Sequence, residues 1–292
     1  MLKIWSVEGN RQFLDGGSMF GNAPRAVWER WIAPDELGRI PLACRALLAD
    51  LDGKKILCET GIGAFFEPKM ADRFGVQNKD RHMLLENLKS LGVEPDEIDY
   101  VILSHLHFDH VGGLLPTYAD IESGNDELLF KNAKYVVGEK ALGRCEKPHP
   151  RDRASFIPGM YEKLTQSGRL LVIPDGAESH EELPKGVSFI YSEGHTPGQM
   201  LTRIQGDKAS VIFTGDLIPG RHWIHLPITM GYDRYAEKVI DEKGSLYKTQ
   251  DLETTYFYYT HDDHAAMSRI EKTDKGKFVP ADVVEVPEGY SL

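Results

Sequence analysis

The sequence predicts a mixed α/β chain of the α+β kind, folded as one domain over residues 1–292. Three observations carry this expectation. Strand-like runs gather toward both ends, helical periodicity lies between them, and no stretch rich in Pro, Gly or Ser divides the chain.

The elements follow in order. Residues 42–49 (LACRALLA) and 54–58 (KKILC) flank Asp52-Gly53, a dipeptide that suits a tight two-residue hairpin. Over 82–91, Leu84, Leu85, Leu88 and Leu91 share one helical face, and Gly92 provides the stop. Tyr100 to Leu103 is a short continuous apolar run, as expected of a strand covered on both faces. Further strands are expected at 187–192, 210–214 and 254–260, a helix around 235–248, and a last hairpin at Lys275-Gly276. Residues 146–153 (EKPHPRDR) read as a short polar loop.

Composition narrows the function classes. With 34 Lys and Arg against 45 Asp and Glu, the net charge is −11, which disfavours nucleic acid and anionic membranes as partners. No apolar stretch approaches the roughly 18 residues needed to span a bilayer, and the start lacks the pattern of a secretion signal. Cys44, Cys58 and Cys145 are odd in number and show no C-x-x-C spacing, so they are expected to be reduced and mostly buried. A cytoplasmic setting is the expectation.

Chemistry concentrates after the buried run ending at Leu103, in Ser104-His105-Leu106-His107-Phe108-Asp109-His110. In an extended segment residues i and i+2 project alike, so His105 and His107 can meet at one cation. Asp109 and His110 can face a second once the chain turns. Clustering so many titratable groups without a metal would be costly. Imidazole and carboxylate suit zinc, and manganese, iron or cobalt are compatible with the same set. Three further candidates also follow strands: His195 in EGHTPG, Asp216 in FTGD and His261 in YTHD. All of them would then lie at the C-terminal ends of strands, where loops from one sheet edge meet.

These motifs resemble the metallo-β-lactamase superfamily along nearly the whole chain. The resemblance implies an αββα four-layer sandwich with two divalent metal ions at one edge. Its ligand pattern assigns the first ion to His105, His107 and His195, the second to Asp109, His110 and His261, and a bridging place to Asp216. Cys58-Glu59-Thr60-Gly61 is similar to the family's Asp-Thr-Gly turn, with Glu59 in the carboxylate position.

The same comparison sorts the branches. The commonest true β-lactamases carry cysteine at the place of Asp216 and lack a histidine at His110; diiron flavoproteins carry glutamate at His107. Nucleases of the superfamily need positive charge, and glyoxalase II has a basic C-terminal helical domain, whereas only about thirty residues follow His261. Residues 16–24 (GGSMFGNAP) with Trp28, residues 39–45 (RIPLACR), and the pieces His225-Leu226-Pro227 and Gly231-Tyr232-Asp233 look like the acyl-homoserine lactonase and methyl parathion hydrolase group. Where some lactonases place a tyrosine three residues after the bridging aspartate, this chain has Pro219.

The expected activity is therefore hydrolysis of a lactone or ester, an acyl-homoserine lactone among the candidates, by a hydroxide bridging two metals, with Asp109 moving the proton. No G-x-S-x-G elbow offers a serine alternative. Phe20, Trp28, Trp223, His225 and Tyr232 are candidate substrate contacts, with loops 16–34 and 217–235 shaping the pocket. The competing expectations are a phosphotriesterase, a glyoxalase II-like thioesterase, and a non-catalytic metal-binding protein of the same fold. The expected partner is a small molecule, and a homodimer is suggested by resemblance alone.

Overall fold

A computed structural model describes residues 1–292. Its strands, numbered in chain order, are β1 (Leu2–Glu8), β2 (Gln12–Asp15), β3 (Arg39–Leu42), β4 (Arg45–Leu51), β5 (Lys54–Cys58), β6 (Tyr100–Leu103), β7 (Lys134–Gly138), β8 (Leu170–Ile173), β9 (Val187–Ser192), β10 (Gln199–Gln205), β11 (Ser210–Phe213), β12 (Thr255–Tyr258), β13 (Met267–Lys272), β14 (Phe278–Val284) and β15 (Glu288–Ser291). They form a seven-stranded sheet in the order β15-β1-β4-β5-β6-β7-β8, a six-stranded sheet in the order β14-β13-β12-β11-β10-β9, and the β2-β3 ribbon.

The period-2 alternation of strand side chains explains why the two large sheets stack. Along β4, Ala46 and Leu48 face one apolar cluster with the helices, while Leu47, Ala49 and Leu51 face another. That second cluster is shared with Val187, Phe189, Met200, Val211, Phe213 and Tyr258 of the other sheet, so it is the layer between them. From β11 and β12, Ile212 and Phe257 point the opposite way, into a third cluster with Val239, Leu246 and Tyr247 of helix Ala236–Thr249. Three apolar layers separate four structural ones, giving the expected αββα sandwich.

Several expected elements fall where the sequence places them. The Asp52-Gly53 turn joins β4 to β5, with Asp52 at φ +53° and Gly53 at φ +84°, the left-handed values such a turn requires. Tyr100–Leu103, Val187–Ser192 and the hairpin around Lys275-Gly276 form as expected.

Two details differ. The expected strand over 42–49 is broken at Ala43-Cys44, because the backbone there turns aside to serve other segments: Cys44 O accepts from Gly9 N at 3.1 Å and Ala43 O accepts from the His261 ring at 2.7 Å. The helix over Met83–Ser90 buries Leu84 and Leu88, but Leu91 lies at its C-cap and is exposed, since the helical turn ends before it could face inward.

All three cysteines are free and buried. No helix is long and apolar enough to cross a membrane.

Topology fixes the place for chemistry. β9 and β10 are antiparallel, β10 and β11 are antiparallel, and β11 runs parallel to β12. Strands β9, β11 and β12 therefore share one direction, and their C-terminal ends open on one edge. The C-terminal end of β6, in the other sheet, opens beside them: Ser104 O, one residue past β6, accepts from Met200 N of β10 at 2.8 Å.

Candidate functional site

After Leu103 the chain bends at Ser104, is extended again at His107, and then enters the short helix Phe108–Val111. His105 Nε2 and His107 Nδ1 approach to 3.0 Å, and His195 Nε2 lies 3.3 Å from the same His107 nitrogen. Asp109, His110 and His261 form a second group beside the first. Asp216 lies between the two. Its Oδ2 is 3.2 Å from His195 Nε2, and its Oδ1 is 3.4 Å from His110 Nε2 and 3.3 Å from His261 Nε2. All seven side chains expected from sequence are thus brought together, and all are buried.

The donor chemistry of this set fits cations. Imidazole nitrogens face one another in the interior, and His110 Nε2 and Asp216 Oδ1 have no hydrogen-bond partner. Left as bare polar groups, such an arrangement would be costly to bury.

The electrostatics agree. Burial, reinforced by the neighbouring imidazoles, holds His105 and His107 well below the usual histidine pKa, in the neutral form that offers a lone pair. Burial opposes charge on His110 and His261 too, but carboxylates outweigh it, Glu59 and Asp216 for the former and Asp216 for the latter, and raise both well above that value. Burial likewise opposes the charge of Asp216, yet His110, His195 and His261 hold its carboxyl well below the ordinary range. The centre favours positive charge at its acidic end.

A surrounding layer orients the rings, as metal-binding histidines require. Glu59, fully buried at φ +63°, receives His110 Nδ1 at 2.7 Å on one oxygen and the Ser104 hydroxyl on the other. Ser104 Oγ in turn lies 2.9 Å from His105 Nδ1. Because both Glu59 oxygens are occupied this way, its proximity to His105 and His110 is a supporting role and not a third metal group. Asp233 Oδ1 holds His195 Nδ1 at 2.9 Å, and Gln12 Nε2 donates to Asp109 Oδ2 at 2.7 Å. Arg45, buried after the break at Ala43-Cys44, donates to the carbonyls of Asp262 and Ala265 and so fixes the loop that carries His261. The roles of Gln12, Ser104 and Asp233 were not legible in the sequence, although Asp233 lies within a recognised motif. Glu59→Gln is expected to weaken metal affinity about 10- to 100-fold by leaving one ring unsupported, read by competition with a chromogenic chelator.

The cavity beside the centre has a volume of about 580 Å³ and is lined by His107, Asp109, His195, Asp216 and His261 at one end. Its apolar wall comes chiefly from Phe65, Phe66, Phe74, Phe108, Phe156 and Met230.

The expected substrate contacts divide. Tyr232 lines this cavity and remains 44% exposed. Phe20, Trp28 and Trp223 do not: Phe20 stacks on Trp223 at 4.5 Å and on Trp28 at 5.8 Å, all in the third apolar cluster. Burying each such ring is worth about 1.5–3 kcal/mol or more, so their work is packing. His225 does not line this cavity either. Its loop is clamped by buried Lys243, whose Nζ donates to the carbonyls of Trp223, His225 and Ile228 at 3.0, 3.2 and 2.6 Å. Loop 217–235 thus contributes through its Met230–Tyr232 end, and segments 65–74 and 151–158, unforeseen in the sequence, supply much of the wall.

Comparison with known proteins bears on the same region. Residues 39–116, which carry β4 to β6 and the His105–His110 stretch, match the model of the metallo-beta-lactamase superfamily. The N-acyl homoserine lactonase AiiA of Bacillus thuringiensis subsp. kurstaki is 28% identical over 234 residues, covering 73% of this chain and 75% of that one. The chain resembles the metallo-β-lactamase superfamily over the residues that carry the first four candidate ligands. Solved structures agree on the metallo-β-lactamase fold. A probable metal-dependent hydrolase from Staphylococcus aureus aligns with a TM-score of 0.82 at 23% identity, covering 97% of this chain and 98% of that one. AidC, a dizinc quorum-quenching lactonase solved with a product, aligns with a TM-score of 0.71 at 19% identity, covering 97% and 95%.

Proposed function

We propose that this chain, acting as one domain, is a dinuclear metal-dependent hydrolase that opens a lactone or ester of a small molecule. The observation that carries the reading is Asp216, whose two oxygens face two separate groups of imidazoles. One carboxylate serving two groups is the arrangement a pair of cations requires.

His105, His107 and His195 would hold one divalent ion, and Asp109, His110 and His261 the other, with Asp216 shared. Zinc suits this set, and manganese, iron or cobalt also fit. Such ions supply a water of lowered pKa and polarise the carbonyl under attack. The chain's own groups do the rest. Asp109 lies at the cavity surface, and the Gln12 amide fixes one of its oxygens, which leaves the other able to take a proton or return it to the leaving oxygen. The phenylalanine wall holds the apolar part of the substrate and keeps bulk water from it. Tyr232, the one tyrosine lining the cavity, is the hydroxyl available to steady the carbonyl, since Pro219 offers none.

The lactone preference is supported by the relatives, AiiA being an N-acyl homoserine lactonase and AidC a quorum-quenching lactonase. Phosphotriester and thioester cleavage are the alternatives, because the same nucleophile can attack phosphorus or a thioester carbonyl. The test compares purified, metal-quantified protein on an acyl-homoserine lactone, an aryl phosphotriester and a thioester. The lactone is expected to give the highest kcat/KM. Chelation should abolish turnover and added zinc should restore it. Turnover that survives complete metal removal would rule out the mechanism.

A further inference from the structure

Resting on the hydrolytic reading of this site, we infer that the cavity selects substrates with an anionic group attached to an apolar body, and that Arg73 and Arg153 receive that anion. The chain is strongly acidic, at −11, and its arginines are almost all engaged. Arg11, Arg25, Arg39, Arg81, Arg144, Arg221 and Arg269 pair with carboxylates. Arg45, Arg151 and Arg169 donate to backbone carbonyls, Arg203 to Gln205, and Arg234 contacts His149. Arg30, Arg73 and Arg153 alone make no side-chain hydrogen bond or ion pair, and two of these three line the cavity.

They reach it from separate segments, Arg73 from the end of helix Pro68–Arg73 and Arg153 from the turn Arg153–Ser155. No carboxylate of the lining is free to neutralise them. Asp109 and Asp216 face the imidazoles, and Asp152 is held by Arg144 at 2.7 Å. The same cavity carries the aromatic wall, where Phe74 meets Phe108 at 4.5 Å and Phe66 at 5.2 Å. An apolar body with a charged end satisfies both surfaces. A positive lip on an acidic protein also reverses the repulsion an anion would meet on approach.

The experiment uses zinc-loaded protein and two matched aryl esters, one ending in a carboxylate and the other in a carboxamide. The anionic ester is expected to show a KM about tenfold lower, with kcat nearly equal. That ratio should collapse toward one in R73A/R153A and invert in R73E/R153E. Titration calorimetry with an alkyl sulfonate and the matching alcohol gives a readout independent of turnover, with sulfonate binding weakened in both variants. Equal KM values in the wild type, or a preference that persists in both variants, overturns the proposal. Should neither ester be hydrolysed, the hydrolytic reading fails, and the calorimetry then decides the anion site alone.

Discussion

Asp216→Asn is expected to reduce bound metal well below two equivalents and to cut lactone or ester hydrolysis by more than about a hundredfold, beyond the 10- to 100-fold range for partners outside the ligand set. Asparagine keeps the shape of the side chain but removes the charge and replaces one oxygen with an NH₂ donor. Whichever way the amide lies, one group of imidazoles then faces a donor where it faced an acceptor. The carboxylate that holds charge on His261 and helps to hold it on His110 is lost in the same step. Elemental analysis reads the metal content and circular dichroism confirms that the chain still folds. His107→Ala provides the contrast, because it touches one group only and should leave about one equivalent in place. Unchanged hydrolysis in both variants would discard the paired-cation mechanism.

Gly113→Ala should produce the largest loss of stability. A methyl there would lie 2.1 Å from Thr60 O, a backbone atom that has nowhere to retreat. The turn containing Thr60 is laced to the segment that follows His107 through Thr60 N to His110 O and Gly113 N to Gly61 O, each at 3.0 Å. Relieving the clash means prising these apart, at a cost of about 3 kcal/mol or more. At 2–4 °C per kcal/mol for a chain of this size, Tm falls by about 10 °C. Metal affinity should drop with it, because the displaced turn carries Glu59. Gly143, in helix Glu139–Glu146, has open space around it, and Gly143→Ala is expected to raise Tm slightly. A Gly113→Ala protein that melts like the wild type would mean that the turn does not press on the loop.

The sequence disclosed what depends on local order. Asp52-Gly53 announced its hairpin because few residues accept positive φ, and the His105–His110 stretch stood out because its titratable groups are adjacent in the chain. It did not disclose partners separated by long spans. Gln12 reaches Asp109 and Asp233 reaches His195 through the fold; the Gly231-Tyr232-Asp233 motif marks the segment of Asp233 but not its contact, and nothing near Gln12 marks it at all. The short helices Gly16–Phe20 and Arg25–Trp28 are too brief to show a helical period. Aromatic identity misled for a related reason: Phe20, Trp28 and Trp223 are apolar enough for a pocket or a core, and only packing distinguishes the two. Phe65, Phe66 and Phe74, which form part of the wall, carry no local pattern that separates a cavity lining from a core.

Neither sheet owns a full complement of donors. The strand edge at β6 brings His105 through His110, whereas His195, Asp216 and His261 arrive from the far side of the sandwich. An ion caught early by the first stretch would therefore be only half enclosed until the second half of the chain had docked. Under the proposed function, ions held by donors from both halves would tie the two sheets together across their seam and stabilise the folded chain.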